Sequence, residues 1–579
     1  MRNFLWKIGG EAGFGIMTVG MSFSKIAARS GYHVFDYNEY PSLIRGGHNT
    51  YEVHVGDKKI HSQKQEIDVL VCLNKETYLR HKDRLTSRSV VIYDPDEFDF
   101  PENFKKAPVP FRSLKAKNEA MQIMVNTIAM GASLAVLGAD MTIFYDIIEE
   151  EFSRKGQSVV DFNKKFADLG YNYVQEHHKD LIRPLLNRRA DKEKLVMTGN
   201  DAFSFAAVGA DCRFYAAYPM TPSSTVMTSL AAWQYKTGMV VRHAEDEIAV
   251  VLSALGASHA GVRASVGTSG GGFALMTEAV SYAGVAEIPI VVFVSQRPGP
   301  ATGMPTWTEQ AELLFAVHSG HGEFPKIVLA PGDVEEMLEL TVKAFDLADI
   351  YQTPVIVLSD KYLSESHISL YKDHVVSLFA NHQPDRGKTI TEFDGAKYLR
   401  YELTDDGISP RLLPGPKGQF YQANSYSHTE DSHTTEDAEP RLKQVDKLNR
   451  KTATYLATHY KAPQVYGSLE HADSVFVSWG GNKGPILDAQ RILEEKGIRT
   501  AYIHITHMYP VDPERIKPLF AHDKRYILVE NNSQAQLGQL LRMQTGIDLT
   551  EKLLKYDGRP IYTEEIVDYI ENRPQVQKI

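Results

Sequence analysis

The sequence predicts an α/β protein made of several domains, each built on a doubly wound parallel sheet. Short apolar runs alternate with longer helix-like segments along most of the 579 residues. Most of these runs are continuously apolar, as expected for parallel strands that helices cover on both faces. Turns that contain glycine or proline follow several runs, where a strand of such a sheet passes into a helix.

The first predicted block spans residues 1–185. It opens with a strand, Phe4–Ile8, a glycine turn, Gly9–Gly15, and an apolar helix, Ile16–Ala28. Such a turn can bring backbone N–H groups close to a phosphate, although Glu11 in this turn argues against a simple dinucleotide fingerprint. Further strands are predicted at His33–Tyr37, Val69–Leu73 and Val90–Tyr93.

The second predicted block spans residues 194–381 and alternates strand and helix throughout. Its strands are predicted at Phe214–Ala217, Ala264–Val266, Ile288–Val294, Ile327–Ala330 and Val355–Leu358, and helices at Ile248–Ala260 and Val334–Ala348. A third block, residues 472–579, returns to the same alternation with strands at Ser474–Trp479, Thr500–Ile505 and Arg525–Glu530.

Residues 382–462 separate these two blocks, and there the strand–helix alternation disappears. Because proline, glycine, aspartate and serine become frequent, we predict an irregular excursion. Within it, residues 427–437 carry histidines and carboxylates, for which the composition favours a solvated loop over a metal site.

Composition narrows the possible functions. A 43% hydrophobic and 23% charged content is that of an ordinary globular protein. The net charge of −10, without a basic tract, argues against nucleic-acid binding. No apolar run reaches the ~18 residues of a membrane helix, and no signal-peptide pattern is present at Met1–Met17, so we expect a cytoplasmic protein without membrane contact.

Chemically distinctive residues follow neighbouring strands of the second block. The turn Tyr218–Ser224 holds two prolines that fix its backbone, and Ser223 and Ser224 are placed to cap the next helix. Further along come an acidic cluster, Glu245–Glu247, a glycine turn, Thr268–Phe273, and Arg297. The carboxyl ends of such strands converge on one crevice, which predicts a binding site there.

The order of these motifs resembles the α subunit of 2-oxoacid:ferredoxin oxidoreductases, a thiamine-dependent family. The spacing from Glu247 through Gly272 to Arg297 is similar to the family pattern. The loop Tyr40–Asn49 looks like the γ subunit of the same enzymes. The resemblance, which covers nearly the whole chain, therefore implies a γ–α fusion. It also implies a pyrimidine-type thiamine domain in the second block and a transketolase C-terminal-like domain in the third.

Two absences concern the cofactors. Cys72 and Cys212 are the only cysteines, so this chain cannot hold a four-cysteine iron–sulfur cluster, and it has no Gly-Asp-Gly segment. With these gaps, the resemblance implies a β subunit that carries the [4Fe–4S] cluster and binds thiamine diphosphate through Mg²⁺. We expect no metal on this chain and an (αβ)₂ assembly.

The resemblance also implies residue roles. Glu247 would contact N1′ of the thiamine aminopyrimidine, with Glu245 and Asp246 as alternatives, since acids in a first helical turn also simply favour the helix dipole. Arg297 would bind the substrate carboxylate, and Thr221 would donate its hydroxyl to the substrate. Tyr218 and Pro219 would line the cofactor site.

Arg45 and His48, from the first block, would reach over the pocket. A second cation there would suit a dicarboxylate, so we expect conversion of 2-oxoglutarate, coenzyme A and oxidised ferredoxin to succinyl-CoA, CO₂ and reduced ferredoxin, reversibly. Pyruvate or a branched-chain 2-oxoacid is the alternative substrate. Two other classes stay open, a non-redox thiamine transferase and a non-catalytic nucleotide-binding protein.

Overall fold

The computed structural model describes residues 3–42, 46–116, 124–380, 382–395 and 397–572. Up to residue 198 its strands are β1 (Asn3–Glu11), β2 (His33–Glu39), β3 (His48–Gly56), β4 (Ile67–Cys72), β5 (Leu85–Tyr93), β6 (Lys105–Pro108) and β7 (Lys194–Thr198). The helices of this part are α1 (Ile16–Arg29), α2 (Lys75–His81), α3 (Phe111–Ala116), α4 (Met124–Val136), α5 (Met141–Phe152) and α6 (Gln157–His177).

The alternation continues to residue 380. The strands are β8 (Cys212–Ala217), β9 (Val240–His243), β10 (Arg263–Thr268), β11 (Ile290–Gln296), β12 (Ile327–Leu329), β13 (Pro354–Asp360) and β14 (His367–Tyr371). The helices are α7 (Gly199–Gly209), α8 (Ser224–Thr237), α9 (Glu247–His259), α10 (Gly270–Val285), α11 (Leu313–His318), α12 (Val334–Tyr351), α13 (Lys361–Glu365) and α14 (Lys372–Ala380).

The remaining strands are β15 (Thr389–Ile390), β16 (Arg411–Leu412), β17 (Gln464–Tyr466), β18 (Ser474–Ser478), β19 (Thr500–His504), β20 (His507–Tyr509), β21 (Arg525–Glu530) and β22 (Glu551–Leu554). The remaining helices are α15 (Ala438–Thr458), α16 (Lys483–Glu495), α17 (Pro513–Ile516), α18 (Gln536–Thr545) and α19 (Thr563–Glu571). The predicted α/β class is confirmed, and the observed elements extend most predicted ones by a few residues.

The chain forms two compact units. The first consists of Met1–Met197, Glu365–Val376 and Tyr562–Ile579, and the second of Thr198–Ser364 and Ser377–Ile561. The second and third predicted blocks therefore fall together in one unit, apart from short segments that join the first. No helix in the described ranges is long and apolar enough to cross a membrane.

The first unit is organised around a mixed sheet in the order β6-β5-β4-β1-β3-β2-β14-β7. Strand β3 runs antiparallel to both of its neighbours, β1 and β2, where a fully parallel sheet was expected. Strand β3 was not predicted, because apolar and polar residues alternate along it. Tyr51, Val53 and Val55 are buried, and so is Glu52 between them, which accepts a hydrogen bond from Lys7 Nζ at 2.9 Å.

In the second unit, the central sheet has the order β20-β12-β13-β11-β10-β8-β9. Its strands pair in parallel except β20, which runs antiparallel to β12. A smaller sheet has the order β17-β19-β18-β21-β22. Because β20 follows β19 directly in the chain, the two sheets are joined by the backbone itself. Residues such as Val292 and Val477 belong to one shared hydrophobic core.

The excursion at residues 382–462 is less irregular than predicted, because it contains the helix α15. Hydrophobic periodicity could not reveal α15, since its buried face is largely polar. Lys447 and Lys451 are buried on that face, and their Nζ atoms lie 2.6 and 2.5 Å from the carboxylate of Glu287. Burial is the largest single effect and raises the pKa of Glu287, but the charges of Lys447, Lys451 and Arg400 together hold this pKa far below its ordinary value.

Both cysteines are buried free thiols. Cys212 lies in β8, and burial raises the pKa of its thiol to about 11. Cys72 lies at the end of β4, where burial raises its pKa as well. Neither thiol is poised to ionise near neutral pH.

Close contact between α4 and α6 depends on two glycines. A Cβ on Gly131 would overlap the carbonyl oxygen of Ala167, and one on Gly170 would overlap that of Ile128. The two helix backbones therefore touch at both points, and neither site has room for a methyl group.

We expect Gly170→Ala to destabilise the first unit by about 1–3 kcal/mol, because the added methyl must push α4 and α6 apart. Gly256→Ala is the control, since a Cβ there meets no atom within 4 Å and alanine favours a helix. Thermal unfolding of the purified chain measures both. Equal midpoints for the two variants would contradict the close-contact argument.

Candidate active site

The predicted convergence of strand ends is present in the structure. Strands β8, β10 and β11 are parallel neighbours, so the turns that follow them lie at one edge of the central sheet. Arg297, directly after β11, donates a hydrogen bond from Nη1 to the carbonyl oxygen of Thr221 at 2.7 Å. Thr221 lies in the turn after β8, so this hydrogen bond joins two turns across the end of β10.

The three acidic residues before α9 have different environments. Glu245 is exposed, and Asp246 is the N-cap, whose Oδ1 accepts from the backbone N–H of Ala249 at 2.8 Å. Glu247 is the first helical residue and is only 4% exposed. Its Oε1 is buried without a hydrogen-bond partner among the described residues. A buried carboxylate oxygen without a partner is costly, which indicates a missing donor.

Gly272 provides the space that Glu247 occupies. A Cβ at position 272 would lie 2.6 Å from Glu247 Oε1 and would overlap Thr268 Oγ1. The Glu247 carboxylate can therefore occupy its position only because residue 272 has no side chain. The fit of a thiamine aminopyrimidine rests on the Glu247 carboxylate, which lies in the space beside Gly272 and has one buried oxygen without a donor among the described residues.

The turn after β8 differs from the prediction in one detail. Helix α8 begins at Ser224, but the hydroxyl of Ser223 donates to the carbonyl oxygen of Met220 at 2.8 Å and does not cap the helix. Ser223 has helical backbone angles, so its side chain closes the preceding turn instead. Tyr218 and Pro219 are exposed, and Thr221 is partly buried.

A cavity of about 500 Å³ opens beside this edge. Its walls are the start of α10 (Ser269–Gly271), the segment Arg297–Ala301, Glu309 with Glu312, and residues between 532 and 536. No chemical role was predicted for Glu309 and Glu312 or for the residues between 532 and 536. No residue pattern pointed to them, because they are polar residues in irregular segments that only the fold brings together.

Charged groups in the cavity influence one another. Burial, reinforced by the negative charge of Glu309, raises the pKa of Glu312 to about 8, while Arg297 opposes the shift. Burial lowers the pKa of Arg297 and Glu312 opposes that change. Since an acid with a pKa near 8 is mostly protonated at pH 7, Glu312 is largely neutral there.

Gln310 holds the walls of the cavity together. Its amide nitrogen donates to Asp360 Oδ2 at 3.1 Å, at the end of β13, and its amide oxygen accepts from Asn482 Nδ2 at 2.7 Å. Its backbone N–H donates to the carbonyl oxygen of Asn531 at 2.8 Å, and its own carbonyl accepts from Asn532 Nδ2 at 3.0 Å. The loop that carries Glu309 and Glu312 is thus fastened to both sheets of the second unit.

The two other predicted site residues belong to the first unit. Arg45 lies outside the described residues. His48 begins β3, and its Nε2 lies 3.2 Å from Nε2 of His81. Burial lowers the pKa of His48 to about 4, so its ring is neutral at pH 7 and offers hydrogen bonding without charge.

The histidine-rich segment 427–437 is better packed than a solvated loop. His428 is buried and stacks on Tyr401 with ring centroids 3.7 Å apart. Within the described part of the chain, no three histidine, cysteine, aspartate or glutamate side chains are grouped as a metal site requires.

In doubly wound α/β proteins, ligands bind in a crevice at the carboxyl edge of the sheet, where this chain has a buried carboxylate, a glycine and an arginine. Two family models match the chain. "Pyruvate flavodoxin/ferredoxin oxidoreductase, thiamine diP-bdg" matches residues 205–447, and "Pyruvate ferredoxin/flavodoxin oxidoreductase" matches residues 5–173. The chain belongs to the 2-oxoacid:ferredoxin oxidoreductases, as a thiamine diphosphate-dependent α-type subunit.

Individual relatives agree with this assignment. The 2-oxoacid:ferredoxin oxidoreductase subunit alpha of Saccharolobus solfataricus is 32% identical, with 98% of this chain and 97% of the relative covered. The 2-oxoglutarate synthase subunit KorA of Methanothermobacter thermautotrophicus is 29% identical, over 65% of this chain and 98% of the relative. Among solved structures, a 2-oxoglutarate:ferredoxin oxidoreductase from Magnetococcus marinus, with 2-oxoglutarate, coenzyme A and succinyl-CoA bound, has a TM-score of 0.88 and 30% identity, covering 99% of both chains.

We expect Gly272→Ala to lower kcat of the assembled enzyme by about tenfold or more, since the methyl group would displace the carboxylate of Glu247, the residue predicted to contact the cofactor. Gly271→Ala should cost far less, because the nearest atom to a Cβ there is Ala301 O at 3.9 Å. Steady-state turnover of both variants, with thermal unfolding as a check on folding, measures the difference. Similar losses for the two variants would show that the fit against Glu247 is unimportant.

Proposed function

We propose that this chain is the γ–α fused subunit of an enzyme that converts 2-oxoglutarate, coenzyme A and oxidised ferredoxin to succinyl-CoA, CO₂ and reduced ferredoxin, reversibly. The observation that carries the proposal is the buried Glu247 Oε1, which has no partner among the described residues and lies against the space left by Gly272. Together with the thiamine-binding family match over residues 205–447, it supports a thiamine site at this edge of the sheet.

When bound, thiamine diphosphate supplies the carbanion that makes decarboxylation of a 2-oxoacid possible. Glu247 would contact N1′ of the aminopyrimidine. Because N1′ carries no hydrogen in the neutral ring, the carboxyl group would pass its proton to N1′, whose N–H would then donate to Oε1. Asp246 is already the N-cap of α9 and Glu245 is exposed, so the structure favours Glu247 among the three acids. Tyr218 and Pro219, exposed at the same edge, line the cofactor.

Arg297 and Thr221 bind the substrate. One guanidinium nitrogen of Arg297 is used by the carbonyl of Thr221, which fixes the orientation of the planar group. The remaining N–H groups are placed to hold a carboxylate. The Thr221 hydroxyl, on the residue that fixes the arginine, donates to the carboxylate or carbonyl of the same substrate.

The preference for 2-oxoglutarate has two supports. The KorA relative and the Magnetococcus marinus enzyme are both named for this substrate. Arg45, the predicted second cation for the distal carboxylate, lies outside the described residues, so its role stays a prediction from the sequence. His48 is neutral at pH 7 and would offer a hydrogen bond without charge.

A β subunit completes the enzyme. It carries the [4Fe–4S] cluster and the Mg²⁺ that binds the cofactor diphosphate, because this sequence lacks the cysteines and the Gly-Asp-Gly segment. The outer face of α9 and Leu275 of α10 form an apolar surface next to Glu247, and the β subunit would dock on this surface. Ile248, Leu252 and Leu275 are 50%, 49% and 51% exposed, and exposed apolar side chains grouped in this way mark a protein interface.

The function is tested by anaerobic purification of this chain with its partner, followed by a visible spectrum before and after 2-oxoglutarate and coenzyme A are added. We expect iron–sulfur absorbance that bleaches only when both substrates are present, and a kcat/KM for 2-oxoglutarate at least about tenfold above that for pyruvate, as expected for an extra bound carboxylate. A higher kcat/KM for pyruvate would contradict 2-oxoglutarate as the preferred substrate. Absence of bleaching would contradict the proposed redox reaction.

The docking surface is tested by Leu252→Glu, which places a charge within the apolar face of α9. We expect this variant to lose co-purification with the iron–sulfur partner while its own thermal unfolding stays unchanged. Leu442→Glu, at a 63% exposed leucine of α15, is the matched control and should keep the partner. Retention of the partner by both variants would place the interface elsewhere.

A further inference from the structure

Glu312 has no place in the function described so far, yet it lines the same cavity as Arg297. Its backbone N–H donates to Gln296 Oε1 at 3.0 Å, which ties it to the end of β11. Its Oε1 lies against Gly270, where a Cβ would overlap it. The first residue of α10 is therefore a glycine at the point where the carboxyl group of Glu312 needs room.

One carboxyl oxygen of Glu312, the buried Oε2, has no hydrogen-bond partner in the described part of the chain. Ser269, the residue before α10, is fully buried in the same cavity wall, and its hydroxyl is also without a partner. Two buried polar groups without partners beside one cavity indicate a ligand that satisfies them.

The charges around the cavity define the class of ligand. Arg297 is the basic side chain among the described lining residues, and Glu309 is the other acid. The start of α10 adds the positive end of a helix dipole, and the residues between 532 and 536 that line the cavity are neutral. An arginine and a helix N-terminus attract an anion, but two ionised carboxylates would repel it.

We propose that Glu312 in its neutral form donates a hydrogen bond to the carboxylate of the 2-oxoacid that Arg297 binds. This assignment rests on the proposed function and adds to it a residue that touches the substrate. In the neutral form, Glu312 is a donor and removes one of the two negative charges. Once ionised, it would accept hydrogen bonds only, and it would repel the substrate carboxylate.

The pKa of Glu312 predicts how substrate binding should depend on pH. The Glu312 pKa of about 8 means that the donor form is present below pH 8 and is lost as the pH rises through that value. The charged groups that face Glu312 are Glu309, which raises this pKa, and Arg297, which lowers it. Removal of the Glu309 charge should therefore move the loss of the donor form to lower pH.

The test measures kcat/KM for 2-oxoglutarate between pH 6 and 10 in the assembled complex, at saturating coenzyme A. For the wild type we expect a fall of about tenfold per pH unit above pH 8, as protonation of a single group requires. Glu312→Gln keeps a neutral donor at every pH, so its profile should lose this fall and match the wild type within a few-fold at pH 7. Glu309→Gln should show the fall at lower pH.

Ionisation of the coenzyme A thiol affects the wild type, Glu312→Gln and Glu309→Gln alike. Differences between their pH profiles therefore report the ionisation of Glu312. An alkaline fall that persists in Glu312→Gln would overturn the assignment, as would an effect confined to the KM for coenzyme A, which would indicate a phosphate ligand instead. A wild-type complex that turns over no 2-oxoacid would overturn the proposed function itself, and with it the assignment. Thermal unfolding of both variants verifies that each is folded.

Discussion

The hydrogen bonds of one buried side chain, Gln310, hold the candidate site in its arrangement. The Gln310 amide bridges Asp360 at the end of β13 and Asn482 in the turn that follows β18, and its backbone is hydrogen-bonded to Asn531 and Asn532. A buried amide with all its groups bonded fixes one geometry, because any shift would leave polar atoms without partners. The segments that follow strands of the two sheets are therefore held in one fixed arrangement around the cavity.

This arrangement explains why the second and third predicted blocks form one unit. Strand β20 extends the central sheet after the smaller sheet has begun, and residues of both sheets share a core. The third predicted block, to which no site residue was assigned, thus supplies a wall of the cavity that contains Arg297. Substitutions at the lining residues between 532 and 536 would therefore change this cavity directly.

The sequence was sufficient where function depends on the order of motifs along the chain. Continuous apolar runs located the central strands, and the turns after them located Thr221, Glu247 and Arg297 at one edge. The predictions of secondary structure were wrong for elements whose buried side chains include polar or charged ones. Strand β3 alternates between buried apolar residues and charged ones, and α15 buries lysines against Glu287. Glu312 could not be found from sequence, since its surroundings come from residues far apart in the chain.

The burial of both thiols has a practical meaning for the purification of this chain. Cys72 and Cys212 are enclosed, and their raised pKa values leave almost no thiolate at neutral pH. Neither can be acylated by a bound acyl-CoA or capped by an alkylating reagent while the protein is folded. Because Cys72 and Cys212 are the only cysteines of the sequence, air oxidation has no exposed thiol through which two folded copies of this chain could be cross-linked.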